Sequence, residues 1–320
     1  MYLEHFGLQG PPFALTPHGP LFFAGAERQE TLNRVNAAIA AEEGFIEVSG
    51  AAGSGKTVLC RILCQQLAPR HRLALLLNPN LPAEELLPAL LNEFRLPVPP
   101  RHEKLAAHLL LRDHLSQTRL QGQRALLLIE DAHCMPLATL EELRLLGNLE
   151  TDQSKLLQVV LFAQPALEKK LQNSAATSFQ ELITTRLTLP PLTVQETGIY
   201  LNLRLRAAGY PHDRLFSPLA VRCIHAAARG RVRRIHLLAH QGLQNAHAAS
   251  VRRVTAGHIL RAITRETPAQ FLFDGYRPLL ASGAVAALVL AGILFQGNGM
   301  PAPHTQTTRR LPADPPPVQV

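Results

Sequence analysis

The 320-residue sequence predicts an α/β fold: a parallel sheet with helices on both faces, followed by an all-helical module. Up to about residue 190, short apolar, β-branched runs alternate with helical periodicities, the pattern of parallel strands joined by right-handed crossovers. One such run and one such helix flank Gly50-Ala51-Ala52-Gly53-Ser54-Gly55-Lys56-Thr57, a complete G-x-x-x-x-G-K-[ST] phosphate-binding loop. Beyond Pro190-Pro191 helical patterns follow one another with no strand between them.

Residues 1–25 form an N-terminal arm, where Pro11-Pro12-Phe13 and Leu21-Phe22-Phe23 exclude a long helix. The P-loop core spans 26–190. It opens with helical spacing over 27–43. Phe45-Ile46-Glu47-Val48-Ser49 then reads as a buried strand. The loop occupies 50–55, and 56–68 repeats apolar residues at helical spacing. A second strand is predicted at 72–77. Helices follow at 82–94 and 102–121, split by Pro97-Val98-Pro99-Pro100. Residues 125–129 form a third strand. Residues 136–150 form a helix with Pro at its favoured first position. A fourth strand at 156–162, short helices over 165–184 and a fifth strand at 186–189 complete the core. The helical module, 191–270, holds helices at 194–208, 218–228, 231–248 and 255–264.

The loop carries specific chemistry. Its glycines let the backbone wrap a polyphosphate with N–H groups pointing inward. Lys56 brings a positive charge to the β- and γ-phosphates, and the Thr57 hydroxyl is a ligand for Mg²⁺. The helix beyond aims its positive end at the anion. The candidate contacts to ATP are Gly50, Gly53, Ser54, Gly55, Lys56, Thr57 and Val58. Leu126-Leu127-Leu128-Ile129-Glu130-Asp131 supplies the acidic strand end that such a loop needs. Glu130 is the expected second Mg²⁺ residue, and Asp131 polarises the attacking water. The usual order of the two carboxylates is Asp then Glu. The inversion lengthens the metal-side residue and shortens the base by a methylene each, and a misplacement near ~1 Å can cost about 10²-fold in rate. His133 either assists these carboxylates or is a surface histidine, and the surface reading is the expected one. Gln164 ends the fourth strand, in position to sense the γ-phosphate or to place water. Arg186, read as the start of the fifth strand, is a candidate arginine finger towards a neighbouring subunit. Arg233, at the start of a module helix, is a candidate phosphate contact within the same chain. Each arginine has a plain alternative as a surface charge.

Composition narrows the partners. Aromatic residues make up 5% and Trp is absent, which argues against base-stacking platforms for single-stranded nucleic acid, and nucleic acid is not the expected partner. Cys60 and Cys64 lie one helical turn apart with no second pair of ligands nearby, so they read as packed thiols in a reducing cytoplasm. The net charge is +8, and thirteen arginines face two acids between Arg186 and Arg265. Such a lobe suits nucleic acid, an anionic membrane or the nucleotide itself, though a solvated helix face explains most of it. The N-terminus has no positive region before an apolar run, so no signal peptide is expected. Residues 279–295, in contrast, carry no charge over seventeen positions, within the range of about 17–25 that spans a bilayer. A single transmembrane helix is expected there. The arginine excess before it puts the bulk of the chain in the cytoplasm. Residues 296–320 are Pro-rich and expected to be disordered.

The assembled order resembles that of the AAA+ ATPases: phosphate loop, acidic strand, polar sensor, Arg before the fifth strand, Arg in a helical lid. Met1-Tyr2-Leu3-Glu4-His5-Phe6-Gly7-Leu8, Pro12-Phe13-Ala14-Leu15-Thr16-Pro17 and Leu21-Phe22-Phe23 are similar to the N-terminal signature of the ExeA/GspA and MshM group. Glu43-Gly44-Phe45-Ile46-Glu47-Val48-Ser49-Gly50, Leu145-Leu146-Gly147-Asn148-Leu149-Glu150-Thr151, Lys155-Leu156-Leu157-Gln158-Val159-Val160-Leu161-Phe162 and Gly230-Arg231-Val232-Arg233-Arg234-Ile235 extend the resemblance over 1–265. It implies a Mg²⁺-dependent, homo-oligomeric ATPase at the bacterial inner membrane. Its partners would be components of type II secretion or of MSHA-type (type IV) pilus assembly. Two other readings stay open: a DNA-directed ATPase such as a transposition helper, favoured by the basic lobe, and a non-hydrolysing nucleotide switch, favoured by the inverted carboxylates.

Overall fold

A computed structural model describes residues 2–265, except 15–21, 26, 101, 152–153, 173–176 and 213. In chain order the elements are α1 (Tyr2–Phe6), α2 (Arg28–Ala40), β1 (Phe45–Ser49), α3 (Lys56–Leu67), β2 (His71–Leu76), α4 (Ala83–Glu93), α5 (Lys104–Leu120), β3 (Arg124–Ile129) and α6 (Leu137–Gly147). Next come β4 (Glu150–Thr151), β5 (Ser154–Lys155), β6 (Leu157–Ala163), α7 (Ala166–Gln172), α8 (Thr177–Leu182) and β7 (Ile183–Thr188). The helices α9 (Val194–Ala207), α10 (Pro218–Ala228), α11 (Val232–Ala248) and α12 (Ala256–Arg265) close the described chain.

Five strands pair in parallel in the order β2-β3-β6-β1-β7. Alternation along each strand feeds two cores. Phe45, Leu127, Ile129, Val159 and Leu161 face α4 to α8, whereas Ile46, Val48, Leu126, Leu128, Val160 and Phe162 face α2 and α3. Both faces are covered, which is why the inner strands β3, β6 and β1 are apolar almost throughout, whereas the edge strands β2 and β7 carry exposed polar residues. Each fully buried leucine contributes about 1.5–3 kcal/mol. A third core joins α9 to α12 to the arm, whose Phe6, Leu8 and Phe13 are buried among them.

The boundaries differ from expectation in three places, each for a local reason. The arm opens with a short helix, α1. The sixth helix stops at Gly147, and β4 and β5 then pair as a small antiparallel hairpin before β6. The last core strand starts at Ile183 rather than 186, because Ile183 and Thr185 already pair with Phe45 and Ile46 of β1, across a register shift at Thr184. The apolar run 279–295 and the Pro-rich tail 296–320 lie outside the described residues. Among the described residues, no helix is long and apolar enough to cross a membrane.

Candidate nucleotide-binding site

The loop leaves the carboxyl end of the central strand. There Ser49 pairs with Ala163 of β6 on one side and Thr188 of β7 on the other. The Gly50 N–H donates to Ala163 O (3.1 Å) and the Leu189 N–H to Ser49 O (2.7 Å), so the loop is anchored on both neighbours. Gly53 and Gly55 sit at φ +72° and +104°, left-handed conformations that glycine adopts without strain. A Cβ on Gly53 would meet Arg233 Cβ at 2.7 Å, and one on Gly50 would meet Ser54 Oγ at 2.7 Å. α3 begins immediately, at Lys56, with its free N–H groups at the loop.

Lys56 is buried, and its ammonium donates to Gly50 O (2.8 Å) and Ala51 O (3.1 Å) of its own loop. Burial pushes its pKa down; Asp131 and Glu130 pull it back up. Ser54 Oγ and Glu130 Oε1 are buried with no hydrogen-bond partner among the described residues. Glycine cradle, cation and unmatched polar atoms together fit a bound polyphosphate with its divalent ion. Thr57 is exposed beside the loop and Val58 half-buried, both in the first turn of α3.

The two carboxylates part company at the end of β3. The Glu130 N–H donates to Leu76 O (3.0 Å), which carries the ladder one residue past β3 and holds Glu130 inside, 8% exposed. Its charge reaches the thiol of Cys60, which is pushed up by a hydrogen bond with Cys64, by burial and by Glu130. Asp131 turns out at φ +49°, a left-handed conformation that Asp tolerates, and its side chain is 57% exposed. His133 is not on the surface as the sequence suggested. The 3₁₀ turn Ala132–Cys134, seated on a fully buried Ala132, folds its ring inward to 14% exposure, with Nδ1 3.9 Å from Asp131 Oδ1. Burial lowers its pKa, Asp131 raises it, and Lys56 and Lys170 lower it. Lys170 of α7 pins the backbone of this turn through the carbonyls of His133 and Met135.

Gln164 follows β6 directly and is half-buried beside the loop strand. Arg233 is exposed, and its N–H donates to Gly53 O (3.3 Å), so α11 begins against the loop itself. Arg186 lies in a different place from the one expected. It is the fourth residue of β7, opposite Glu47 of β1. There it donates to Gln180 O (2.8 Å), with Nε 3.5 Å from the buried Glu47 carboxylate. Burial raises the Glu47 pKa and Arg186 opposes the rise.

Sequence reasoning missed Arg28. This arginine of α2 is 5% exposed and donates from Nη2 to Ser54 O (2.7 Å), bracing the loop from behind. Burial lowers its pKa; the charges of Glu196 and Tyr200 on α9 raise it. Its position at the start of a helical pattern gave no sign of this contact.

Known proteins match this architecture. Residues 39–171 match the family described as AAA domain. General secretion pathway protein A of Aeromonas hydrophila is 36% identical over 260 residues, covering 81% of this chain and 47% of that protein, so the chain spans about half of its relative. Among solved structures, Cdc6p from Pyrobaculum aerophilum superposes with a TM-score of 0.62 at 14% identity, over 83% of this chain and 74% of that one. The Aeropyrum pernix ORC2 protein in its ADPNP–ADP complexes gives 0.59 at 14%, over 83% and 74%. Drosophila ORC bound to DNA gives 0.57 at 16%, over 91% and 78%. At such identities the three structures establish a shared P-loop α/β fold and nothing more. By its AAA domain and the 36% identity, the chain belongs with the AAA+ ATPases of the ExeA/GspA group.

Proposed function

We propose that the protein is a Mg²⁺-dependent AAA+ ATPase, anchored in the bacterial inner membrane by residues 279–295, that drives assembly of a type II secretion or MSHA-type pilus machine. The observation that carries the nucleotide part is the glycine cradle around Lys56, with Ser54 Oγ and Glu130 Oε1 buried and unmatched at its edge. ATP would lie on the N–H groups of Gly53, Ser54, Gly55, Lys56, Thr57 and Val58. Lys56 would exchange its two loop carbonyls for phosphate oxygens. Mg²⁺ would be held by Thr57 and Glu130 and would supply charge neutralisation at the phosphates. Asp131, exposed and steadied by the His133 ring, holds the attacking water, with Gln164 across from it. The helices after Pro191 act as a lid, because α11 starts on Gly53 and carries Arg233 to the loop. Arg186 serves as an intersubunit finger in a homo-oligomer only by leaving Glu47.

Binding of a fluorescent ATP analogue and Mg²⁺-dependent phosphate release by the full chain, compared with Lys56→Ala, test the reading. Binding and slow turnover by wild type, with binding lost in a folded Lys56→Ala protein, support it. Equal affinity in the two proteins overturns the loop assignment. A second reading, a switch that binds but does not hydrolyse, is favoured by the exposure of Asp131. It predicts binding with no turnover even when oligomeric on membranes.

A further inference from the structure

From Arg214 to Arg265 the chain has ten arginines and neither Asp nor Glu. The fold sorts them into two groups. Arg229, Arg231, Arg233 and Arg234 flank the start of α11, at the nucleotide loop. Most of the others gather at the far end of that helix, which is seventeen residues and therefore about 25 Å long. A parallel bridge between Phe216 and Val254 joins the two segments there, closed by Val254 N–H to Leu215 O and Ser217 N–H to Val254 O, both 2.9 Å. Counting back two residues on each side sets Arg214 beside Arg252, with Arg253 next to it. All three are exposed, as are Arg261 and Arg265, one turn apart on α12. Arg265 also reaches Asn245 Oδ1 (3.5 Å). Glu4 of the arm lines the same small cleft as Arg252 and offsets part of its charge.

We propose that this end of the helical module, Arg214, Arg252, Arg253, Arg261 and Arg265, docks on the anionic phospholipid headgroups of the membrane. The choice of arginine over lysine suits phosphate, because the planar guanidinium binds its oxygens in pairs. The sequence just beyond α12 favours a lipid surface over a nucleic acid. Thirteen residues separate Arg265 from the uncharged run that begins at 279, a tether of at most about 50 Å even when fully extended. A face so tethered meets headgroups at high effective concentration. The inference rests on the membrane anchoring proposed above, and it adds an orientation: the lid end of the ATPase lies on the bilayer.

Arg252 and Arg253 are themselves trypsin sites, which gives a direct test on the full chain. The protein is incorporated into vesicles of phosphatidylcholine alone or of phosphatidylcholine with phosphatidylglycerol, and cleavage after these residues is timed. Cleavage should slow at least about tenfold on the anionic vesicles, since each arginine near such a surface gains about fivefold in affinity. It should recover at about 1 M NaCl, where the Debye length falls to about 3 Å. With Arg214→Ser and Arg261→Ser introduced together, and nucleotide binding intact, the protection should fall to the level seen on phosphatidylcholine. Equal cleavage on both vesicle types overturns the proposal. So does protection by a DNA duplex with none from anionic lipid, which would make the face a nucleic-acid surface. Flotation in the phosphatidylcholine sample reads the anchor separately: a chain that stays behind there lacks the span, whatever the anionic vesicles do.

Discussion

Two buried polar clusters, one where the arm meets the helices after Pro191 and one at the nucleotide loop, are built on opposite rules. Where the arm meets the module, the buried side chains of Tyr200, Arg204 and His236 each have a matched partner. The His236 Nδ1–H donates to Ala14 O (3.2 Å), which leaves Nε2 to accept from the Tyr200 hydroxyl (2.6 Å), and Arg204 donates to Pro12 O (2.7 Å). Phe13 packs edge-on to both His236 and Phe216, and Phe23 edge-on to Tyr200. At the nucleotide loop, Ser54 Oγ and Glu130 Oε1 are buried and unmatched, and Lys56 spends its charge on carbonyls. Some unmatched atoms elsewhere belong to groups already engaged through another atom, such as Gln158, whose amide N–H groups bind Ile39 O and Glu43 O. A buried polar group left without a partner costs about 1–3 kcal/mol. A chain that tolerates two of them around one glycine loop has left room for a ligand to match them. The matched cluster serves to hold the arm.

Substitutions can break this contrast from either side. The largest effect is expected at Asp131. Asp131→Asn should lower turnover about 10²–10⁴-fold, the usual contribution of a positioned base. ATP binding and the melting temperature should be unchanged, since the side chain is exposed and Asn tolerates the same left-handed backbone. Single-turnover hydrolysis at the wild-type rate would place the base elsewhere.

The matched cluster should fail in acid. Burial, with help from Arg204, drives the His236 pKa from 6.5 down to about 4, so the folded protein holds the ring neutral. The unfolded chain takes up that proton first as pH falls. Stability from this group is therefore complete above about pH 6.5 and is lost between there and pH 4, in total about 3 kcal/mol. Urea titrations across that window, compared with His236→Gln, should show a flatter acid limb in the variant. Parallel limbs would remove His236 as the source. At the loop, Lys56→Ala should weaken ATP binding by about 1.5–3 kcal/mol, roughly 10- to 150-fold, the loss of a charge-assisted contact. Isothermal titration reads it directly.

The sheet and the loop were legible in the sequence because each rests on local signals. Short apolar, β-branched runs gave the strands, and glycine spacing gave the cradle. The failures share a cause, in that each residue acts through something that local spacing does not encode. Arg28 reaches Ser54, twenty-six positions on, and His133 turns inward on a 3₁₀ turn that no periodicity announces. Arg186 meets Glu47 across two strands, a pairing set by sheet register rather than by spacing. The arm could be read as lacking a long helix from its Phe and Pro content. Its anchor points at Pro12 and Ala14 are backbone carbonyls, invisible to any reading of side chains.

The smallest effect is the sharpest test of the contrast, because it sets two hydroxyl deletions against each other. Tyr200→Phe removes the hydrogen bond to His236 and leaves Nε2 buried without a donor. It should cost about 1–2 kcal/mol, the loss of a hydrogen bond with the partner stranded. Ser54→Ala deletes an oxygen that has no partner to lose. In the nucleotide-free protein it should change stability by less than about 0.5 kcal/mol, as a substitution that breaks no named interaction does. With ATP and Mg²⁺ present, the stabilisation that the ligand gives should shrink in the Ser54 variant, because the oxygen then has something to bind. The two unfolding curves, each with and without nucleotide, decide the matter. If Ser54→Ala is as costly as Tyr200→Phe without ligand, the serine already has a structural partner, and its unmatched hydroxyl no longer marks the site.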